Sequence, residues 1–441
     1  MLARTLACTI CATVALAACD DGVGPPRATP PTPPAGGNDP DFAVTGVDGW
    51  HVIGNALTPG SDALTLAVDG PDGTTAIDVW VDDGAGQRLT AGAGGHFDGM
   101  VGIGDLGPGE HQVLFAADGA TTAFARATFF RTHPMYFVVS TDWDFAEPGQ
   151  AALDAHDRLR AAHPDIRFTQ FVGPYTYTDP AVTDARKAEI TTWLTSRRDQ
   201  HDDEIALHIH PWCHFVATAG IPCITDQSTV YPDRHQRIHD QGGGLWAGRL
   251  RRRCSTPPTR IFVERGLGKP VTFRAGGWTA SIETLKALAA KGYVADTSAL
   301  NWARMEEWNR RPANSTTGTW RRGRRSDDTS QPYHPNVDDK QSPAAPHVPI
   351  LEVPDNAIMV DYVTTQEMIG IFAANWPGPA LTEPRVYMMG FHPSASFTTD
   401  EYNRVHGILE HADLYRASQN HAGPVVYAVL RDLPTVWPAT P

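Results

Sequence analysis

Residues 207–215 read LHIHPWCHF, which sets His208, His210 and His214 within one short stretch, with Cys213 beside the last of them. On an extended strand His208 and His210 point to the same face. Pro211 ends the regular strand, so the chain curls and carries His214 back toward the same point. Far upstream, STDWD at 140–144 places Asp142 and Asp144 two residues apart. One carboxylate and two imidazoles from separate strands satisfy a divalent ion, zinc being the first choice, and leave coordination positions for water and substrate. Such an ion polarises a carbonyl oxygen and lowers the pKa of its water toward about 7. A second carboxylate beside it is then placed to take the water's proton, and a histidine opposite to protonate the leaving group. That is the chemistry of metal-assisted hydrolysis of an acyl bond. His214 is the expected ligand, joined by either His208 or His210, while Cys213 suits a disulfide better than coordination.

Positioning these groups requires a particular scaffold. After Pro134 strands alternate with helices: YFVVSTD at 136–142 is an apolar run fit for a buried parallel strand. A helix over about 149–162, RFTQFVG, a helix over about 183–200 and EIALHIH continue the alternation. VTFRAGG precedes SIETLKALAAKG, where Ile282, Leu285 and Leu288 repeat at helical spacing and Gly292 supplies a stop. YVADTS, ILEVP, VYMMGFH, a helix over about 399–418 and VVYAVL follow. This pattern predicts a closed or nearly closed α/β barrel, in which reactive side chains sit where strands end and loops begin. Those positions hold Asp142 and Asp144, the histidines of 208–214, Arg274, Asp296 and His392. The segment over about 303–348 reads as a long irregular insertion.

The ordered set resembles the polysaccharide deacetylase family, the NodB homology domain of carbohydrate esterases, over nearly all of 134–441. STDWD is similar to its first motif, which implies Asp142 as general base and Asp144 as metal ligand. DEIALHIHPWCH resembles the second, which supplies two histidine ligands. FRAGGW resembles the third, implying that Arg274 holds the base and that Trp278 walls the groove. GYVADTSA resembles the fourth, whose aspartate, Asp296, would orient the acid histidine, and MMGFHP the fifth, which makes His392 the general acid. Two departures stand out: Trp143 separates the usually adjacent aspartates, and Gly276 replaces the usual proline. The resemblance implies a distorted (β/α)7 barrel that removes acetyl groups, N-acetyl foremost, from a polysaccharide. Trp212, Tyr231, Trp246, Trp278 and Tyr333 are aromatics able to stack on sugar rings. Two other functions compete: a non-catalytic glycan-binding envelope lipoprotein, and a hydrolase of non-sugar amides on the same barrel.

The rest of the chain bounds the setting. At 441 residues and 41% hydrophobic content it has enough material for more than one core. Its formal net charge of -14 argues against nucleic acid as a partner, and RRGRR at 321–325 reads as a solvated loop. Residues 1–18 read as an export signal, and Leu16-Ala17-Ala18-Cys19 resembles a bacterial lipobox, which implies lipidation of Cys19 and anchoring to the cell envelope. Residues 19–40, rich in Pro and Gly, form a tether. Residues 41–132 carry short alternating runs separated by Gly-containing turns and predict a small β-sandwich. Of Cys213, Cys223 and Cys254, the pair Cys213–Cys223 closes the shortest loop and is the expected disulfide.

Overall fold

The computed structural model describes residues 38–210, 212, 213, 215, 258–309, 326–394, 397 and 399–439. The signal, Cys19 and most of the tether lie outside this set, as do His214, Cys223, Cys254, Tyr231, Trp246 and the RRGRR run. None of the helices among the described residues is long and apolar enough to cross a membrane.

Backbone packing divides the chain into two compact units, and the division is not contiguous. Among the described residues one comprises 38–47, 64–101 and 112–128; the other takes 48–63, 102–111 and those from 129 onward. Three stretches of the 41–132 region, 48–63, 102–111 and 129–132, therefore belong to the larger unit.

The smaller unit is built from antiparallel strands. Strand β1 (Ala43–Thr45) pairs with β3 (Ala63–Asp69), after β2 (Trp50–Val52) has contributed to the larger unit. β3 alternates in burial, with Leu64, Leu66 and Val68 inside, as period-two patterning requires. β4 (Ile77–Val81) lies between β5 (Gln87–Arg88) and β8 (Gly109–Ala117). β6 (Thr90–Ala91) pairs with β7 (His96–Gly102). β9 (Ala125–Thr132) leaves this unit, and its last residues pair in parallel with β2.

The larger unit carries a wholly parallel sheet. Its strands are β10 (Met135–Asp142), β11 (Phe168–Val172), β12 (Glu204–Ile209), β13 (Thr272–Ala275), β14 (Ala295–Asp296), β15 (Leu351–Glu352), β16 (Ile358–Met359), β17 (Arg385–Phe391) and β18 (Val425–Ala428). They run in the order β15-β14-β13-β12-β11-β10-β17-β16, with β18 also against β10. All eight residues of β10 are buried, and its apolar stretch Met135–Val139 is what a parallel strand buried on both faces requires. Among the described residues no ladder joins β15 to β16, so the α/β barrel is open along one seam.

Local chemistry sets the helices. Thr183 caps Asp184–His201 by accepting from the Arg186 amide, and Asp202 ends it in the left-handed region. Ser281 caps Ile282–Ala289, whose Leu285 and Leu288 are buried, and Gly292 at φ +79 lets the chain turn back. The final long helix stops at Asp413, short of the predicted 418.

Candidate active site

Because every strand of the larger sheet is parallel, their C-terminal ends meet on one side. β10 delivers Asp142 and, just beyond, Asp144. β12 delivers His208 and His210 on one face, with Ile209 on the other. Nε2 of His208 lies 3.2 Å and Nε2 of His210 3.1 Å from Asp144 Oδ1. One ligand atom from each of these three residues falls within 4.8 Å of the others, and the same holds for Asp142, Asp144 and His392. His208 Nδ1 donates to the Arg274 carbonyl at 3.0 Å, which fixes the ring and leaves Nε2 to present a lone pair toward Asp144. Both histidines of the strand thus meet the aspartate, whereas His214 lies outside the described residues.

Gly276 has a specific task here. A Cβ at that position would stand 2.6 Å from His210 Cγ, so only the missing side chain lets the imidazole lie against β13. The glycine that replaces the expected proline is a packing requirement of His210.

The loop carrying Asp144 is held from outside. Tyr175 donates its hydroxyl to the Trp143 carbonyl at 2.5 Å, and Trp212 donates its indole N–H to the Asp144 carbonyl at 2.9 Å. Trp143 is itself buried, its indole directed to Thr141 Oγ1. Trp212 is buried as well, so it acts on the loop and not as an open stacking surface. Cys213, next along this turn, is disulfide-bonded; the proposed partner Cys223 lies outside the described residues.

Asp142 is gripped by Arg274, whose Nη1 reaches its Oδ1 at 2.8 Å and Ser140 Oγ at 2.9 Å. Arg274 is fully buried, lies over the Phe171 ring and also faces Asp355 at 3.5 Å. Burial works against its charge, but Asp142 and Asp355 outweigh it and raise the guanidinium pKa. Asp355, buried between Arg274 and Trp278, is pushed up to about 6 by that burial, with Arg274 acting the other way.

His392 follows β17. Its Nε2 is 3.6 Å from Asp144 Oδ2, and its Nδ1 is 3.0 Å from Asp361 Oδ2. Burial lowers the imidazole pKa, yet Asp361 and Asp144 together push it up to about 10. Burial likewise raises Asp144, but His210 and His392 dominate and hold it well below the ordinary carboxylate range. The assembled set therefore offers two imidazoles and a carboxylate for a cation, a second carboxylate beside them, and a protonated imidazole opposite.

Two sequence expectations change. Asp296 does not meet His392. β14 is only two residues long and the chain turns at once, so Asp296 accepts from the Ser298 amide at 3.1 Å and hydroxyl at 3.0 Å. Burial pushes it up to about 6, with the hydrogen bonds from Glu352 and Ser298 acting the other way. The partner of His392 is Asp361, on the 3-10 turn Val360–Tyr362 directly after β16. β16 pairs with β17 in the register Ile358↔Met389 and Met359↔Gly390, so its end and that of β17 lie side by side. Trp278 is not a groove wall either. It is buried in the core and donates its indole N–H to Asp355 Oδ2 at 3.2 Å. Tyr333 sits on the β15 flank, three strands along from β12, bridging Glu352 through its backbone and donating its hydroxyl to the Lys340 carbonyl.

No protein-family model matches the chain, and no curated protein matches it. Among solved structures it is similar to a family 4 carbohydrate esterase from Streptomyces lividans in complex with acetate, at 11% identity and TM-score 0.32 over 67% of this chain and 92% of that one. A probable polysaccharide deacetylase from Pseudomonas aeruginosa aligns at 12% identity and TM-score 0.39 over 69% and 90%. A 4-alpha-glucanotransferase from Thermococcus litoralis aligns at 10% identity and TM-score 0.37 over 70% and 40%.

Proposed function

We propose that this chain is a metal-dependent deacetylase acting on N-acetyl groups of an envelope or extracellular polysaccharide, exported and held to the membrane by a lipid on Cys19. The observation that carries the reading is the flanking of one Asp–His–His group by two differently supported partners, Asp142 on Arg274 and His392 on Asp361. The arginine orients one as a proton acceptor, and the carboxylate behind the other keeps its imidazole protonated as a donor.

Asp144, His208 and His210 fit a divalent cation: the donor set is one oxygen and two nitrogens, and the Nδ1 bond of His208 aims its other nitrogen inward. When bound, such an ion, zinc by this donor set, supplies Lewis acidity that polarises the acyl carbonyl and eases ionisation of water. Asp142 takes the proton of the attacking water at a carboxylate oxygen while Arg274 fixes its orientation. His392 then gives its Nε2 proton to the departing amine. Asp144, engaged as a ligand, no longer lends its full charge to His392, so Asp361 is the group that keeps this imidazole protonated.

The test is acetate release by the metal-loaded protein from N-acetylglucosamine oligomers, peptidoglycan and an acetylated exopolysaccharide, beside Asp142→Asn. Release from at least one glycan, lost in the variant, is the expected result. Tight glycan binding without acetate from any of them would instead mark a binding protein, and turnover confined to simple amides a non-sugar hydrolase.

A further inference from the structure

We infer that Phe145 is the surface on which the pyranose ring bearing the acetyl group rests, an inference that builds on the deacetylase reading of the same site. Among the described residues five large apolar side chains stand exposed: Met100, Phe145, Val263, Val294 and Leu414. Phe145 is the aromatic one of the five, is 50% exposed, and directly follows Asp144 in the chain.

Its placement is not accidental to the site. The ring lies 6.0 Å from that of Trp212 at an interplanar angle of 34°, and the Trp212 indole is the donor that holds the Asp144 carbonyl. One side chain therefore positions both the metal-site loop and the exposed ring beside it. An aromatic side chain left half in water at the rim of a site forgoes apolar burial that a ligand can restore. A pyranose suits it: the ring's C–H face supplies a flat apolar surface, while its hydroxyls stay in water at the edge. A small amide has no such face, so Phe145 favours a glycan over a simple acyl compound. Because the ring is exposed, its removal leaves the core intact, and variants here report on substrate and not on folding.

The experiment compares the metal-loaded wild-type enzyme with Phe145→Ala and Phe145→Trp on the N-acetylglucosamine tetramer, or on whichever glycan in the panel is turned over, and on 4-nitrophenyl acetate. The expected result for Phe145→Ala is a rise of about tenfold in KM for the glycan with a much smaller change in kcat. The ratio of kcat/KM for the glycan to that for the aryl acetate falls about as much, and Phe145→Trp restores it. An unchanged glycan KM, or a loss shared equally by both substrates, overturns the assignment while leaving the deacetylase reading intact. Hydrolysis of neither substrate by the wild-type enzyme, or of the aryl acetate alone, overturns both.

Discussion

Nδ1 of His392 meets Oδ2 of Asp361 at 3.0 Å, and this pair joins the end of one strand to the turn after its neighbour. Asp296, which sequence order favours for this task, engages its carboxylate with Ser298 and Glu352. Asp361→Asn is therefore expected to lower kcat by roughly 10²-fold, within the range for general acid catalysis, with KM little changed. Asp296→Asn acts on stability instead, leaving kcat of the folded protein within about threefold. Steady-state kinetics on both variants separates them; equal losses in kcat would return the role to Asp296.

The same pair gives the metal-free protein a pH dependence. His392 is raised from 6.5 to about 10 in the folded state by its two carboxylates against the pull of burial. A raised histidine stabilises the fold fully below its unfolded pKa, and that contribution is lost as pH rises through the folded value. Thermal denaturation of metal-free wild type should thus decline between about pH 6.5 and 10 more steeply than that of Asp361→Asn, since removal of one anion lowers the folded pKa. Parallel curves would show that Asp361 does not support the charge.

Tyr175 acts at one remove from the metal site, through the carbonyl of Trp143. Tyr175→Phe removes the hydroxyl that donates to the Trp143 carbonyl, leaves the buried ring in place, and frees the loop that carries Asp144. Metal affinity is expected to fall by about tenfold, at the low end for groups that orient ligands. Competition with a chromophoric chelator measures it, with the circular dichroism spectrum as the control for folding.

Gly276→Ala should do similar harm by another route. Its Cβ would press on His210 at 2.6 Å, so the imidazole or β13 has to move. The expected outcome is a metal affinity weakened by about tenfold or more, with the His208 contacts intact. An unaltered metal affinity would remove His210 from the ligand set.

How much of this can be read from the sequence depends on the length of the strand involved. β10, β12 and β17 are long enough to show as mostly apolar runs with an ionisable group at or just after the end of each, and Arg274 stands within the last two residues of β13. β16 is two residues long, inside the run AIMV at 357–360, so Asp361 follows a strand too short to register. The rule of an ionisable group after an apolar run finds it only if that run is treated as a strand. Trp278 and Trp212 are aromatic residues beside motifs, and only packing distinguishes an indole that donates inward, to Asp355 or to Asp144, from one that faces a ligand. The expectation of His214 with one of the other two rests on the curl after Pro211, whereas strand alternation by itself already brings His208 and His210 together.

Metal dependence and the base role of Asp142 are tested together by titrating chelator-stripped protein with zinc while recording acetate released from a glycan the enzyme turns over. The expected result is no release without metal, a linear rise to a break at about one equivalent per chain, and a flat line for Asp142→Asn even though that variant takes up the metal. Full acetate release from the stripped protein would rule out the metal's role, and a rise in Asp142→Asn equal to that of the wild type would rule out Asp142 as the base.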